Sequence, residues 1–367
     1  MTGTTEPNGT TRRRGRELLI TGCWTAESGG RGHGLTVYRR DSADGSLERL
    51  SELELAAPSY LCRHPRLPVL YAVNETPEGA VTALAVDEAD GTLRPLGSLP
   101  TGGSSPCHLA LSADGRRLLA ADYGSGSVAA FALEADGRLR ERTDLVQHQG
   151  SGPRADRQEG PHAHMVVRHP DAPDDGAGEL WTAVDLGADR LFRYRLGEDG
   201  RLAPDGGLAL RPGFGPRQLV HAGNGVAYLV GELSSELAVL GESAGDGLTL
   251  LDTLPASPRA ERPGQPENLP AHLSLSADGR LLFLSNRGAD TVAVLRAGDA
   301  GRPPEPLGEY DCGGSWPRHM ELDPAGGLLY VCNQESDSLD VLAVGEDGAL
   351  THLRSQPTPS PTCVLLW

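Results

Sequence analysis

From Ser104 to Leu139 the chain alternates short apolar runs with polar, glycine-containing breaks. His108–Leu111 leads into Ala113-Asp114-Gly115, and Arg116–Ala121 returns. Asp122-Tyr123-Gly124-Ser125-Gly126 then makes a looser connection to Ser127–Leu133. After Glu134-Ala135-Asp136-Gly137 a last run opens at Arg138. An Asp-Gly pair between apolar runs is a strong hairpin signal, because both residues tolerate the positive φ of a type I′ turn. The pattern predicts a four-stranded antiparallel meander.

The same pattern recurs along the chain. Units are read at Glu17–Leu50, Ser59–Leu96, the stretch above, His162–Leu202, Arg217–Leu250, His272–Leu307 and Arg318–Leu350. Most open on a proline-led signal: Pro58-Ser59, Pro106-Cys107-His108, Pro161-His162-Ala163-His164, Pro216-Arg217-Gln218, Pro270-Ala271-His272 and Pro317-Arg318-His319. The signals recur every 44–55 residues, about the length of a propeller blade. The first unit lacks both signal and first strand, whereas Ser360–Trp367 matches the opening of a repeat and stops there. Closing the ring with that segment leaves no open sheet array. The expectation is an all-β, seven-bladed propeller over residues 17–367, with the C-terminal strand innermost in the first blade. Residues 1–16 are expected to form a disordered tail. Residues 147–161 and 255–270 read as loops between blades, and 171–179 as a widened turn.

Composition supports this reading: the chain has 367 residues, Gly 48, Pro 28 and 4% aromatics. No apolar run approaches a membrane span. The net charge of −17 argues against nucleic acid and against anionic membranes as partners. It leaves room for a small anion held by a local group of arginines. Six scattered cysteines without a CxxC pair read as small buried hydrophobes. Leu18-Leu19-Ile20 is too short an apolar run to complete a secretion signal after Arg12-Arg13-Arg14, so a cytoplasmic location is expected.

The meander also selects a working face. A strand that starts at one face and a second that returns there bring two series of residues to one mouth. They are the proline-led signals and the pairs Asn74-Glu75, Asp122-Tyr123, Asp185-Leu186, Gly231-Glu232, Asn286-Arg287 and Asn333-Gln334. Glu75, His108, His162, His164, Arg217, Glu232, His272, Arg287, Arg318 and His319 are thereby expected around the central channel. Asp122 and Asp185, before turns, read as structural Asx-type hydrogen-bonding residues. The bottom Asp-Gly turns read as folding devices.

The chain resembles the lactonase family of seven-bladed propellers, which includes propeller-type 6-phosphogluconolactonases and, more distantly, carboxymuconate lactonising enzymes. The resemblance is carried by HPRLPVLYAVNE (64–75), SPCHLALSADGRRLLAADYGSGSVAAF (105–131), PHAHMVV (161–167), VDLGADRLFRYRL (184–196), GFGPRQLV (213–220), AYLVGEL (227–233), SADGRLLFLSNRGADTVAVL (276–295) and WPRHMELDPAGGLLYVCNQ (316–334). It implies catalytic roles for His164 or His162, Arg217, Glu232 and Arg287, with no metal and no cofactor. Gln218 stands where many members have histidine, and Asp122 where asparagine is usual. A histidine titrating near neutrality would serve as base, His164 before His162. The arginines would stabilise an oxyanion or clamp an anionic group, and Glu232 would orient them or shuttle a proton. Glu75, His108, His162, His272, Arg318 and His319 are expected to bind substrate. The reaction expected is hydrolysis of a phosphorylated or carboxylated sugar lactone. The alternatives are a carboxymuconate-type cycloisomerase and a non-catalytic ligand-binding propeller. Oligomeric state is left open.

Overall fold

A computed structural model describes residues 16–170, 178–223, 225–243, 247–261, 266–298 and 302–367. Its strands form seven four-stranded antiparallel sheets, six of them sequential meanders. In the seventh sheet the chain's last strand, Pro361–Leu366, is innermost, followed outwards by Arg16–Cys23, Gly34–Asp41 and Leu47–Glu54. The register runs from Leu19↔Leu366 to Cys23↔Pro361. Two backbone bonds extend it, Trp24 N–H to Ser360 O at 3.1 Å and Trp367 N–H to Leu18 O at 2.9 Å. This is the ring closure expected from the displaced repeat.

Strand sequence explains the packing. Successive side chains point to opposite faces of a sheet, and here both faces are covered by neighbouring blades. Leu18 and Ile20 enter the cluster shared with the second blade, while Leu19 between them enters the one shared with the seventh. Val69, Tyr71 and Val73 likewise face the third blade, and Leu70 and Ala72 the first. Seven such clusters fill the seven blade interfaces. Middle strands such as Ser127–Leu133 are therefore buried throughout, whereas the outer strand Leu47–Glu54 is largely wet. The closing interface carries an additional polar clasp. The buried Arg40 contacts Asp323 and Glu17 and donates to Tyr330 Oη at 3.2 Å.

The expectation of type I′ hairpins is corrected. Gly45, Gly91, Gly115, Gly137 and Gly279 have positive φ, but the aspartate before each does not. Gly115 N–H bonds Ser112 O at 2.9 Å, and Arg116 N–H bonds Asp114 Oδ1 at 2.9 Å. The aspartate thus braces the loop through its side chain, and glycine alone supplies the left-handed residue, as in longer hairpin loops. Residues 1–15 of the expected tail and most of the 171–179 turn lie outside the described residues, while Arg16, expected in the tail, opens a strand of the first blade. Among the described residues no helix is long and apolar enough to cross a membrane.

Removing 361–367 deletes the innermost strand of the first blade and uncovers Leu19 and Ile20. The truncated protein is expected to lose more than about 10 °C of melting temperature, or to aggregate through the bared edge. An unchanged thermal transition would refute the closure as a source of stability.

Candidate active site

The innermost strands enter the ring at Pro361, Leu61, Pro106, Ala163, Pro216, Leu269 and Pro317. At six of these entries the register with the second strand slips, leaving an extra residue on the inner strand. The extra residues are Thr362, Cys107, His164, Arg217, Arg318, and the Ala271-His272 pair opposite Ser285. A bulge bends the strand and re-aims one side chain. Here it turns that position into the channel, where Thr362, Cys107, His164, Arg217, His272 and Arg318 line one cavity. The chain approaches these entries under strain. Ala57, Ser105, Trp316 and Ser360 are left-handed, and each immediately precedes the proline of its repeat.

The cavity measures about 30 Å³, and Tyr60, His108, Gln218 and His319 complete its wall. That is room for a water or two and not for a sugar ring. A larger ligand must therefore sit above, at the mouth. That end of the ring carries the residues that end or follow the second strands: Trp24, Glu75, Tyr123, Leu186, Glu232, Arg287 and Gln334. The residues one place earlier serve the fold. Asn74 donates to Ala56 O at 2.8 Å, and Asn333 to Cys312 O at 3.0 Å. Asp122 accepts from Ser127 Oγ at 3.1 Å, and Asp185 from His162 N–H at 2.8 Å. The expected structural role of the two aspartates agrees with these bonds.

Glu232 is the hub of the mouth. Its carboxylate, 1% exposed, lies 2.9 Å from Arg217 Nε and 2.7 Å from Arg287 NH2, and accepts from Arg157 NH2 at 2.5 Å. The Arg217 and Arg287 contacts are charge contacts without an aligned N–H. Each of these two guanidinia is fixed instead by a backbone carbonyl, Arg217 by Ala271 O and Arg287 by Leu269 O at 2.9 Å. Burial alone would raise the Glu232 carboxyl, but Arg287, Arg217 and Arg157 hold it well below its usual range. Burial, followed by the Arg287 charge, pushes Arg217 down to about 9, which still leaves it cationic at neutral pH.

A second group lies across the mouth. Arg318 sits 4.5 Å over the Trp24 ring and 3.7 Å from Glu75 Oε2, which also accepts from Trp24 Nε1 at 3.0 Å. Arg318 thus has a carboxylate of its own, separate from the Glu232 group.

The histidines divide in a way that was not expected. His162 and His164 were both expected around the channel, and two residues apart on a regular strand they would point to one side. The bulge separates them, because pairing passes from Ala163↔Asp185 directly to Met165↔Val184. His164 faces the cavity, packed edge-on against Tyr123 at 5.6 Å. His162 lies outside the lining, stacked on Tyr123 at 4.6 Å, with Nδ1 2.8 Å from Tyr123 O and Nε2 3.2 Å from Glu159. Titration near neutrality is also corrected. Burial and the Arg217 charge hold His164 well below the ordinary imidazole range. Burial pushes His108 and His319 down to about 3, and His272 well below its usual value. The His272 and His319 ring centroids lie 3.9 Å apart, and the Tyr60 ring lies tilted 4.2 Å from His108. The three imidazoles, His108, His272 and His319, form a neutral layer in the wall of the cavity that Arg217 and Arg318 also line.

Sequence reasoning missed Arg157 and Trp24. Arg157 belongs to the 148–161 loop, outside every repeat position. Its place is set by buried anchors on either side: His148 bonds Asp185 at 2.7 Å, and Gln158 donates to Leu186 O at 2.8 Å. Trp24 was legible in principle, since it occupies in the first blade the position of Glu75 and Glu232.

The comparisons with known proteins agree with this geometry. Residues 18–366 match the family model described as Lactonase, 7-bladed beta-propeller. The chain is 32% identical over 262 residues to the 6-phosphogluconolactonase of Bacillus subtilis (strain 168), covering 69% of this chain and 71% of that one. The solved structure of the periplasmic gluconolactonase of Pseudomonas aeruginosa superposes with a TM-score of 0.87 at 32% identity, over 95% of this chain and 98% of that one. A protein from Lactobacillus plantarum superposes with a TM-score of 0.86 at 30% identity, over 96% and 99%. By its blade count, its ring closure and the family match over nearly its whole length, this chain belongs to the lactonase family of seven-bladed β-propellers.

Proposed function

We propose that the protein hydrolyses a sugar lactone bearing an anionic group, such as 6-phosphogluconolactone, with the lactone seated at the mouth and water supplied from the channel. The observation that carries this reading is the meeting of three elements. They are a neutral imidazole, His164, a water-sized cavity beside it, and guanidinia in excess of the carboxylate that binds them. The lactonases of Bacillus subtilis and Pseudomonas aeruginosa support a sugar lactone as substrate, and the Bacillus subtilis name alone supports a phosphorylated one.

In this mechanism water attacks the lactone carbonyl carbon as His164 takes its proton. The carbonyl oxygen becomes an oxyanion facing Arg217 and Arg287, whose charge stabilises it in a site of low polarity. Collapse breaks the bond to the ring oxygen, which receives the proton from the imidazolium. The product is the open hydroxy acid, and His164 is neutral again. Arg318, backed by Trp24 and Glu75, would hold the distal anionic group.

The central test is hydrolysis of 6-phosphogluconolactone, corrected for spontaneous opening, beside its unphosphorylated counterpart. His164→Ala and Arg217→Ala are each expected to lower kcat/KM by about 10²-fold or more. His319→Ala, in the neutral layer, is expected to do much less. Near-wild-type rates in folded His164→Ala and Arg217→Ala proteins would remove both from the chemistry.

Glu232→Gln keeps the shape and deletes the charge between three guanidinia. A fall in melting temperature is expected together with loss of kcat/KM, since breaking a buried ion pair costs about 3–5 kcal/mol. Full stability in this variant would mean that the arginines do not depend on the carboxylate.

The depressed histidines also set a pH response. The unfolded chain takes up protons as pH falls through about 6.5, while the folded channel still refuses them. Stability is therefore expected to decline from about pH 6.5 downwards, before most carboxylates titrate. The rate of protein that is still folded is expected to lack an acid limb near pH 6.5. Thermal unfolding and kcat/KM measured from pH 4.5 to 8 would separate the two, and an acid limb at constant melting temperature would contradict the assignment of His164 as a depressed base.

A further inference from the structure

On the face opposite the mouth, two innermost strands of adjacent blades end side by side. His169 follows the fourth blade's Ala163–Arg168, and His221 ends the fifth blade's Pro216–His221. Their rings lie 4.4 Å apart. Glu242, in the fifth blade's third strand Glu236–Ser243, reaches both: its Oε1 is 2.5 Å from His221 Nδ1 and 3.7 Å from His169 Nδ1. One ligand atom from each of the three residues falls within 4.8 Å of the others. None of these residues belongs to the repeat series at the mouth.

We propose that His169, His221 and Glu242 form a site for a borderline divalent cation of the zinc class, which clips the fourth blade to the fifth. The ligand set, two imidazoles and one carboxylate, is one that zinc accepts with a fourth position left to water. Metal–nitrogen bonds of about 2.0–2.1 Å place tetrahedral ligand atoms roughly 3.4 Å apart. The His169–Glu242 separation of 3.7 Å is already close to that spacing. His221 and Glu242 stand closer because a hydrogen bond joins them, and with the cation on Nδ1 the His221 ring would carry its proton on Nε2 instead. The opening required is small, and among the described residues His221 Nε2 has no hydrogen-bond partner to resist it.

The surroundings orient the ligands. His169 Nε2 is 2.7 Å from the buried Thr182 Oγ1, which fixes the ring and leaves Nδ1 for the cation. His169 also borders an open cleft of about 810 Å³, which gives a route in from solvent. Arg193 and Arg195 lie near His169, with Asp205 between them at 2.9 and 3.4 Å. Their charge works against a cation held by electrostatics alone. The site therefore favours a metal bonded through imidazole nitrogen over calcium or magnesium, which seek oxygen cages.

The test uses the full, tag-free chain, stripped by a chelator and then titrated with Zn²⁺ against a chromophoric competitor. One equivalent per chain is expected, with a rise in melting temperature, and Co²⁺ is expected to give the visible absorption of a four-coordinate site. Mg²⁺ and Ca²⁺ are expected to do neither. Glu242→Gln and His169→Gln should each weaken Zn²⁺ at least tenfold while leaving lactone hydrolysis unchanged, since neither residue approaches the mouth. Absence of saturable Zn²⁺ binding would overturn the proposal. So would stoichiometric binding that both variants retain, which would place the cation elsewhere, for example at a cysteine.

Discussion

Glu232 is the constraint on which the mouth of this ring depends. Three guanidinia converge on one carboxylate from three separate parts of the chain: Arg157 from an interblade loop, Arg217 from the start of the fifth blade, and Arg287 from the end of a strand in the sixth. Arranged without it, they would repel one another in a medium that screens poorly. Burial by itself disfavours the ionised carboxylate, and only the combined field of the arginines keeps it charged. Neither side of the cluster is stable without the other.

Such a cluster needs a frame that cannot spread, and ring closure provides one. The Pro361–Leu366 strand ties the first blade to the last, so the seven interfaces tighten together. The bulges then solve a geometric difficulty. A regular strand alternates its side chains between its two faces, here the two neighbouring blades, and presents nothing to the axis. An extra residue at the entry turns one side chain inwards, which is how His164, Arg217 and Arg318 reach the channel while Val166, Leu219 and Met320 stay in the interfaces.

The ring was legible in the sequence because its signals are local and repeated. Proline-led entries, Asp-Gly loops and the displaced Ser360–Trp367 segment each follow from turn chemistry or strand periodicity. The mouth was legible as two series of positions, since a meander must return to its starting face. What failed needed more than periodicity. The bulge at His164 inserts one residue and cancels the two-residue rule that grouped it with His162. Arg157 comes from a loop with no repeat to align it, and its position depends on the distant anchors His148 and Gln158. The histidines were expected near their ordinary titration range because burial and neighbouring charge are properties of the assembled ring.

Charge links the mouth to the chemistry beneath it. Against a net charge of −17 for the chain, the Glu232 group sets three guanidinia against one carboxylate, a local excess of two positive charges. Burial and that field together keep His164 unprotonated. An anionic substrate at the mouth opposes the same field, and by ordinary electrostatics it must raise the imidazole's proton affinity. On the proposed mechanism, His164 would therefore be a stronger base with an anionic substrate bound than without it, and the guanidinia that would attract the anion are the same ones that keep the imidazole unprotonated and free to accept a proton.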